Sequence, residues 1–250
     1  MTGGVNFEHV FAFQIKCMMA GQYHKLVNAK KPDDIIIACL RLGWVDAFRQ
    51  TSRNTEKFNC KKDAEKSPII DAVCGATTMV NGFKEYASKT STEERVKCIN
   101  ALLGNTEFTD NIAQVKDISN AKFPLCLGHI QKMYNMAIKL LLCLLLTAEY
   151  VNKQPWDVPL SQAISLKSKS FLDFKEQNFK DICFDTADCP IDSIILGKLN
   201  PNANTSVWSK FGADEDHPYT DYENTQTTIA NIQKGTGKSN LCFDFENWNV

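Results

Sequence analysis

Two lysines, Lys132 and Lys139, stand on the most apolar stretch of the chain, Phe123 to Leu146, where an ordinary core helix would carry leucine. Seven residues are close to two helical turns, so both lysines share one face with Asn135 between them. Met133, Met136, Ala137 and Leu140 belong to the packed side. An ammonium held against an apolar core is costly, and desolvation lowers its pKa. The neutral amine that results is a nucleophile able to form a Schiff base. The alternative, which spacing alone favours, is that both stems run along the helix edge and put their charges in water. Ahead of Lys132, the turn Leu125-Cys126-Leu127-Gly128 leads into the helix N-terminus. Free amides and the positive dipole end there can hold a phosphate without a basic side chain.

The elements that must position these groups read as helices nearly throughout. Pro32-Asp33-Asp34 opens a largely buried helix that runs through Trp44, Val45 and Phe48. Ser67-Pro68 opens a second, interrupted by Gly75 and Gly82. Ser91 and Glu94 have capping-box spacing ahead of Val96, Ile99, Leu102 and Leu103, with Gly104 as the stop. Phe108 to Ile118 and Ser170 to Phe184 read as helices, and residues 153–169 as a connection. A helix is expected to start at Cys189-Pro190, with the proline in its first turn. Tyr219 to Ile232 reads as the last substantial helix. Mobile points are expected near 200–204 and 234–240. No series of period-2 strands is present. The expected class is mainly α: a two-lobed helical domain around a central buried helix, with an N-terminal lobe over 1–120 and a hairpin-bearing lobe over 121–250.

The composition narrows the choices. Of the 250 residues, 44% are hydrophobic and 23% charged, which is enough for a sizeable packed interior. Ten cysteines are scattered without a C-x-x-C pair, so a reduced, cytoplasmic protein is expected rather than a zinc or disulfide framework. No metal and no cofactor is called for. The start of the chain lacks a basic segment followed by a clean apolar one, so no secretory leader is expected. The longest uncharged apolar run, Leu140 to Ala148, is nine residues, against the roughly 20 needed to cross a bilayer. A monomer with no membrane association is expected. The net charge is −1, but residues 121–170 hold six lysines against two acids, and 171–250 hold six against thirteen. This permits one local face for an anionic ligand. The run Lys234-Gly235-Thr236-Gly237-Lys238 lacks the spacing of a phosphate loop.

Leu127-Gly128-His129-Ile130-Gln131-Lys132 resembles the hairpin and second-helix start of the helix-hairpin-helix DNA glycosylases, nearest to their archaeal 8-oxoguanine branch. In that branch a Gln-Lys pair opens the helix, a second lysine follows seven residues on, and an aspartate lies in a later Pro-Val-Asp sequence. The counterparts here are Gln131-Lys132, Lys139 and Pro190-Ile191-Asp192. The chain differs in having Leu127 in place of a second glycine and Met133 in place of a common threonine. It also has an insertion over 153–184. The resemblance implies excision of a damaged or modified base that has been flipped out of DNA. Lys132 would attack the sugar and Asp192 would assist. The hairpin residues Leu127 and Gly128 would grip a phosphate, while His129, Gln131, Asn135 and Lys139 would read the base or hold the lysine. Trp208, with Trp156 as a second candidate in another non-helical stretch, would stack on the base. A water-using glycosylase that removes a hypermodified phage base is a variant of the same reading. A helical module that binds DNA or a nucleotide without catalysis is the alternative outside enzymes.

Overall fold

The computed structural model describes residues 31–48, 73–110, 126–153, 179, 181–202 and 204–247. The structure is mainly α-helical, with no strand among the described residues. In chain order the helices are α1 (Pro32–Phe48), α2 (Thr77–Ser88), α3 (Thr92–Leu103), α4 (Leu127–Lys153), α5 (Ser193–Leu199), α6 (Tyr219–Gln233) and α7 (Asn240–Asn247). Two short 3-10 turns, Phe184–Thr186 and Val207–Lys210, lie between them.

Local chemistry explains several of these boundaries. Pro32 occupies the start of α1, where its missing N–H costs nothing, and the Asp34 carboxylate accepts from the Lys31 amide at 2.9 Å. At the start of α3 the Ser91 hydroxyl accepts from the Glu94 amide at 3.3 Å and donates to the Glu94 carboxylate at 3.0 Å. Gly104 closes the same helix. The helix expected from Ser67 onward is broken at Ala76, between a helical turn at 73–75 and α2. Its opening, like most of the segments expected over 108–118 and 153–184, lies outside the described residues, as does Trp156.

Helix α4 is the axis of the fold. It is 27 residues long, and from Cys126 to Cys143 every residue is buried. A helix surrounded on all sides cannot send a polar group to water, so each one on it must find a partner inside the protein. Helix α1 packs most extensively against it. The contact is close because Gly43 meets the α4 backbone: a Cβ at that position would lie 2.3 Å from the Met133 carbonyl oxygen. The hydrophobic core is continuous from Ile35 on α1 through Phe83, Tyr134 and Leu141 to Tyr222 and Phe245.

Among the described residues no helix is long and apolar enough to cross a membrane.

The helix expected at Cys189-Pro190 begins later. Residues 187–192 form no helix, and α5 starts at Ser193 with Asp192 as its N-cap. The reason lies in the partners of that segment. The Gln226 side chain accepts from the Cys189 amide at 3.0 Å and donates to the Cys189 carbonyl at 2.7 Å. Gln131 does the same for Ile191, accepting at 3.4 Å and donating at 3.1 Å. Pro190 between them has no N–H to satisfy. Two glutamines thus replace the ladder that a neighbouring strand would supply.

Candidate active site

Lys132 projects from the first turns of α4 into a cage built by three other segments. Its Nζ lies 3.0 Å from Oδ2 of Asp46 on α1 and 3.4 Å from Oδ2 of Asp192. The Trp208 ring centroid is 4.8 Å away, within cation–π range. The lysine side chain is 1% exposed, that of Asp192 12% and that of Asp46 33%, so the cage opens toward solvent on the Asp46 side.

Each wall has a local cause. Asp46 follows Gly43 by one helical turn, and the close approach at Gly43 brings it against α4. Asp192 is fixed as the α5 cap: its Oδ1 accepts from the amides of Ile194 at 2.8 Å and Ile195 at 3.0 Å, which leaves Oδ2 to face the lysine. Trp208 is held down by Gly128. A Cβ on Gly128 would lie 2.0 Å from the Trp208 carbonyl oxygen, and the Gly128 amide donates to the Phe211 carbonyl at 3.0 Å.

Burial pulls the Lys132 pKa down, but the carboxylates of Asp46 and Asp192 outweigh it, and the net shift is upward. The lowered pKa expected from the sequence is therefore not found. Burial was foreseeable from the apolar helix, whereas the two acids come from distant parts of the chain. The resting group is an ammonium. Nor do the lysines run out to water: Lys139 is fully buried, ion-paired with Asp244 and 4.7 Å from the Phe245 ring centroid. Burial holds the Asp244 carboxyl above its usual range, with Lys139 acting against the shift.

The other residues expected to meet DNA are also buried. Leu127 lies in the core. The Gly128 amide is taken by Phe211, and those of His129 and Ile130 turn back to Cys126. The start of α4 is thus covered by residues 207–211 and does not offer its amides outward for a phosphate. The Nδ1 of His129 lies 3.3 Å from Cys126 Sγ, and its ring makes an edge contact with Trp208 at 5.9 Å. Burial pushes the Cys126 thiol up to about 11. It donates to the Ser209 carbonyl. Gln131 is committed to Ile191 and Gly128. Asn135 accepts from Tyr86 at 2.8 Å and donates to Tyr222 at 3.0 Å. Instead of pointing at a ligand, these two amides brace the segment that ends in Asp192.

That bracing continues to a buried ion pair absent from the sequence reading. Arg95 donates to Asp188 at 3.1 Å and to the carbonyls of Thr186 at 2.7 Å and Lys89 at 2.5 Å. Asp188 also accepts from Thr92 at 2.7 Å and Tyr222 at 3.0 Å. Burial raises the Asp188 pKa, against the pull of Arg95 and the two hydroxyls. Asp46 and Gln226 were missed as well. A usable signal existed for both. Asp46 is an acid in an otherwise apolar turn after Trp44, and Gln226 shares the buried stripe of α6 with Tyr222 and Ile229.

The assembled group is an ammonium between two carboxylates of unequal freedom, beneath an indole. It can hold a cationic centre, move a proton, or release an amine nucleophile. No cluster of three metal-ligating side chains occurs among the described residues. Comparison of the chain with family models, curated proteins and solved structures finds no match.

Proposed function

We propose that the protein is a DNA glycosylase in which Lys132 attacks the sugar of a damaged or modified nucleotide and Asp192 stabilises the developing cation. The observation that carries this reading is the meeting of Lys132 Nζ and Asp192 Oδ2 at 3.4 Å across 60 positions of sequence. An amine and an anchored carboxylate facing one another suit attack at an electrophilic sugar carbon. The indole of Trp208 beside them supplies a flat apolar surface next to the reacting amine. DNA would have to enter from the Asp46 side and move the cover formed by residues 207–211. Base flipping and closure around the base are steps of this kind.

Borohydride trapping tests it. Oligonucleotides with oxidised, deaminated, alkylated or glucosylated bases, and an abasic control, are mixed with protein and reductant. A covalent adduct that depends on the base and disappears in Lys132→Gln is the expected result. Base release without an adduct identifies the water-using variant. The absence of both release and adduct across the whole panel overturns the proposal.

A second reading, a helical binding module without catalysis, is favoured by the full burial of Lys139 with Asp244, an ion pair of similar make-up on the same helix face. It predicts that Lys132→Arg and Asp192→Asn retain ligand binding.

A further inference from the structure

We infer that Asp46 is the proton acceptor that turns the Lys132 ammonium into a nucleophile, with Asp192 confined to a fixed electrostatic role. The inference takes its substrate from the glycosylase reading. Its physical basis is the inequality between the two carboxylates.

Asp192 is tied down. One oxygen caps α5 through two amides, and the chain behind it is clamped at Ile191 by Gln131. It cannot turn without uncapping a helix, and it is 12% exposed. Asp46 is nearer to the amine, at 3.0 Å against 3.4 Å, and 33% exposed. It is the member of the cage through which a proton can pass to bulk water. Among the described residues, Lys139 and Asp244 pair with each other further along α4. His129, one turn before Lys132, has Nδ1 against Cys126 Sγ.

Desolvation by a bound ligand assists the transfer but is not required for it. A ligand that covers the Asp46 side removes water from an ion pair that is otherwise open at one end. In a drier site two opposite charges are favoured less over two neutral groups. One N–H bond of the ammonium then breaks and Oδ2 of Asp46 takes the proton. The freed lone pair forms the bond to the electrophilic sugar carbon. The glycosidic bond breaks, and the base leaves with the two electrons of that bond and takes up a proton from solvent.

The test uses two electrophiles on the full chain. In the first arm, formaldehyde and cyanoborohydride are applied between pH 5.5 and 9, and methylation at Lys132 is quantified by mass spectrometry. The amine adds to the carbonyl, water leaves, and hydride from the reductant fixes the imine. In the second arm, the same variants are trapped on the oligonucleotide panel. If Asp46 accepts the proton, Asp46→Asn lowers Lys132 labelling tenfold or more at pH 6.5, the deficit closes toward pH 9, and Asp46→Glu stays within threefold of the parent. A merely structural anion gives the opposite sign, because its loss frees the amine: labelling in Asp46→Asn equal to or above the parent at pH 6.5 overturns the inference. A fall in Asp46→Glu to the asparagine level also overturns it, and this variant keeps the ion pair should asparagine impair folding. If the formaldehyde arm behaves as expected and no oligonucleotide is trapped, the glycosylase reading fails and the assignment of Asp46 stands.

Discussion

The Lys132 ammonium is closer to Asp46, on α1, than to Asp192, the residue that caps α5. Lysine and capping aspartate thus form part of a three-membered charge group in which the cation is outnumbered. Removing the cation leaves two carboxylates facing one another. Lys132→Gln is expected to destabilise the fold by about 3 kcal/mol at pH 7, the low end for a broken buried pair because Asp46 is partly exposed. Adding Asp46→Asn to that variant should restore part of the loss. Urea unfolding of the single and double variants measures both effects.

The same group sets an alkaline limit. The folded pKa of Lys132 lies above its ordinary value of 10.5, so the native state binds this proton more tightly than the unfolded chain. Its contribution is fully present below 10.5 and is lost as pH climbs through the folded value. Chemical unfolding at successive pH values is therefore expected to show a loss above 10.5 that is reduced in Lys132→Met.

Gly43 and Gly128 are expected to tolerate no side chain. A methyl at either would strike a backbone oxygen, which cannot rotate aside. Alanine at each should cost about 3 kcal/mol, the upper range for overpacking, and Gly128→Ala should also displace Trp208 and weaken any trapping at Lys132. Gly75→Ala serves as the control: its nearest neighbour is a side-chain methyl at 3.8 Å. Thermal unfolding compares the three.

Gln131→Ala strips the Ile191 N–H and carbonyl of their glutamine partner, and Gln226→Ala strips the Cys189 N–H and leaves its carbonyl only the longer contact from Asn135, at 3.4 Å. Each is expected to cost about 2 to 3 kcal/mol. The two should differ in activity: Gln131 holds the residue next to Asp192, Gln226 one two positions earlier. Adduct yield per folded molecule is expected to fall further in Gln131→Ala.

Arg95→Met leaves Asp188 buried with only hydroxyl donors, at an expected cost of about 3 to 5 kcal/mol near neutral pH. Without the guanidinium the Asp188 pKa rises further, so the folded state takes up a proton as pH falls through that value. The deficit should therefore shrink between pH 7.5 and pH 5. Parallel thermal melts at the two values check the sign.

Local chemistry made much of the helical framework readable. Pro32, the Ser91–Glu94 box and Gly104 act within one turn of themselves, and they mark the ends of α1 and α3 where they stand in sequence. The start of α5 was misread because Pro190 is an acceptable first-turn residue. Nothing near it in sequence reports that Gln131 and Gln226 hold its neighbours extended. The cage was legible by half. Lys132 and Asp192 stand out by their places beside a turn and a proline, and the structure brings them together. The partnership of Asp46, the net charge state of Lys132 and the covering of Gly128 all depend on approaches between distant segments. Periodicity carries no information about those.

The segment ending in Asp192 is fastened by side chains from α3, α4 and α6 instead of by its neighbours in the chain. Helices form from local contacts within microseconds, whereas contacts between remote segments must await closure of the chain between them. The cage around Lys132 draws on residues near 46, 192 and 208, and so must await closure of long stretches of chain. A newly made chain would acquire its helices first and the charge group around Lys132 last, so that this ion pairing is complete only in molecules that have finished folding.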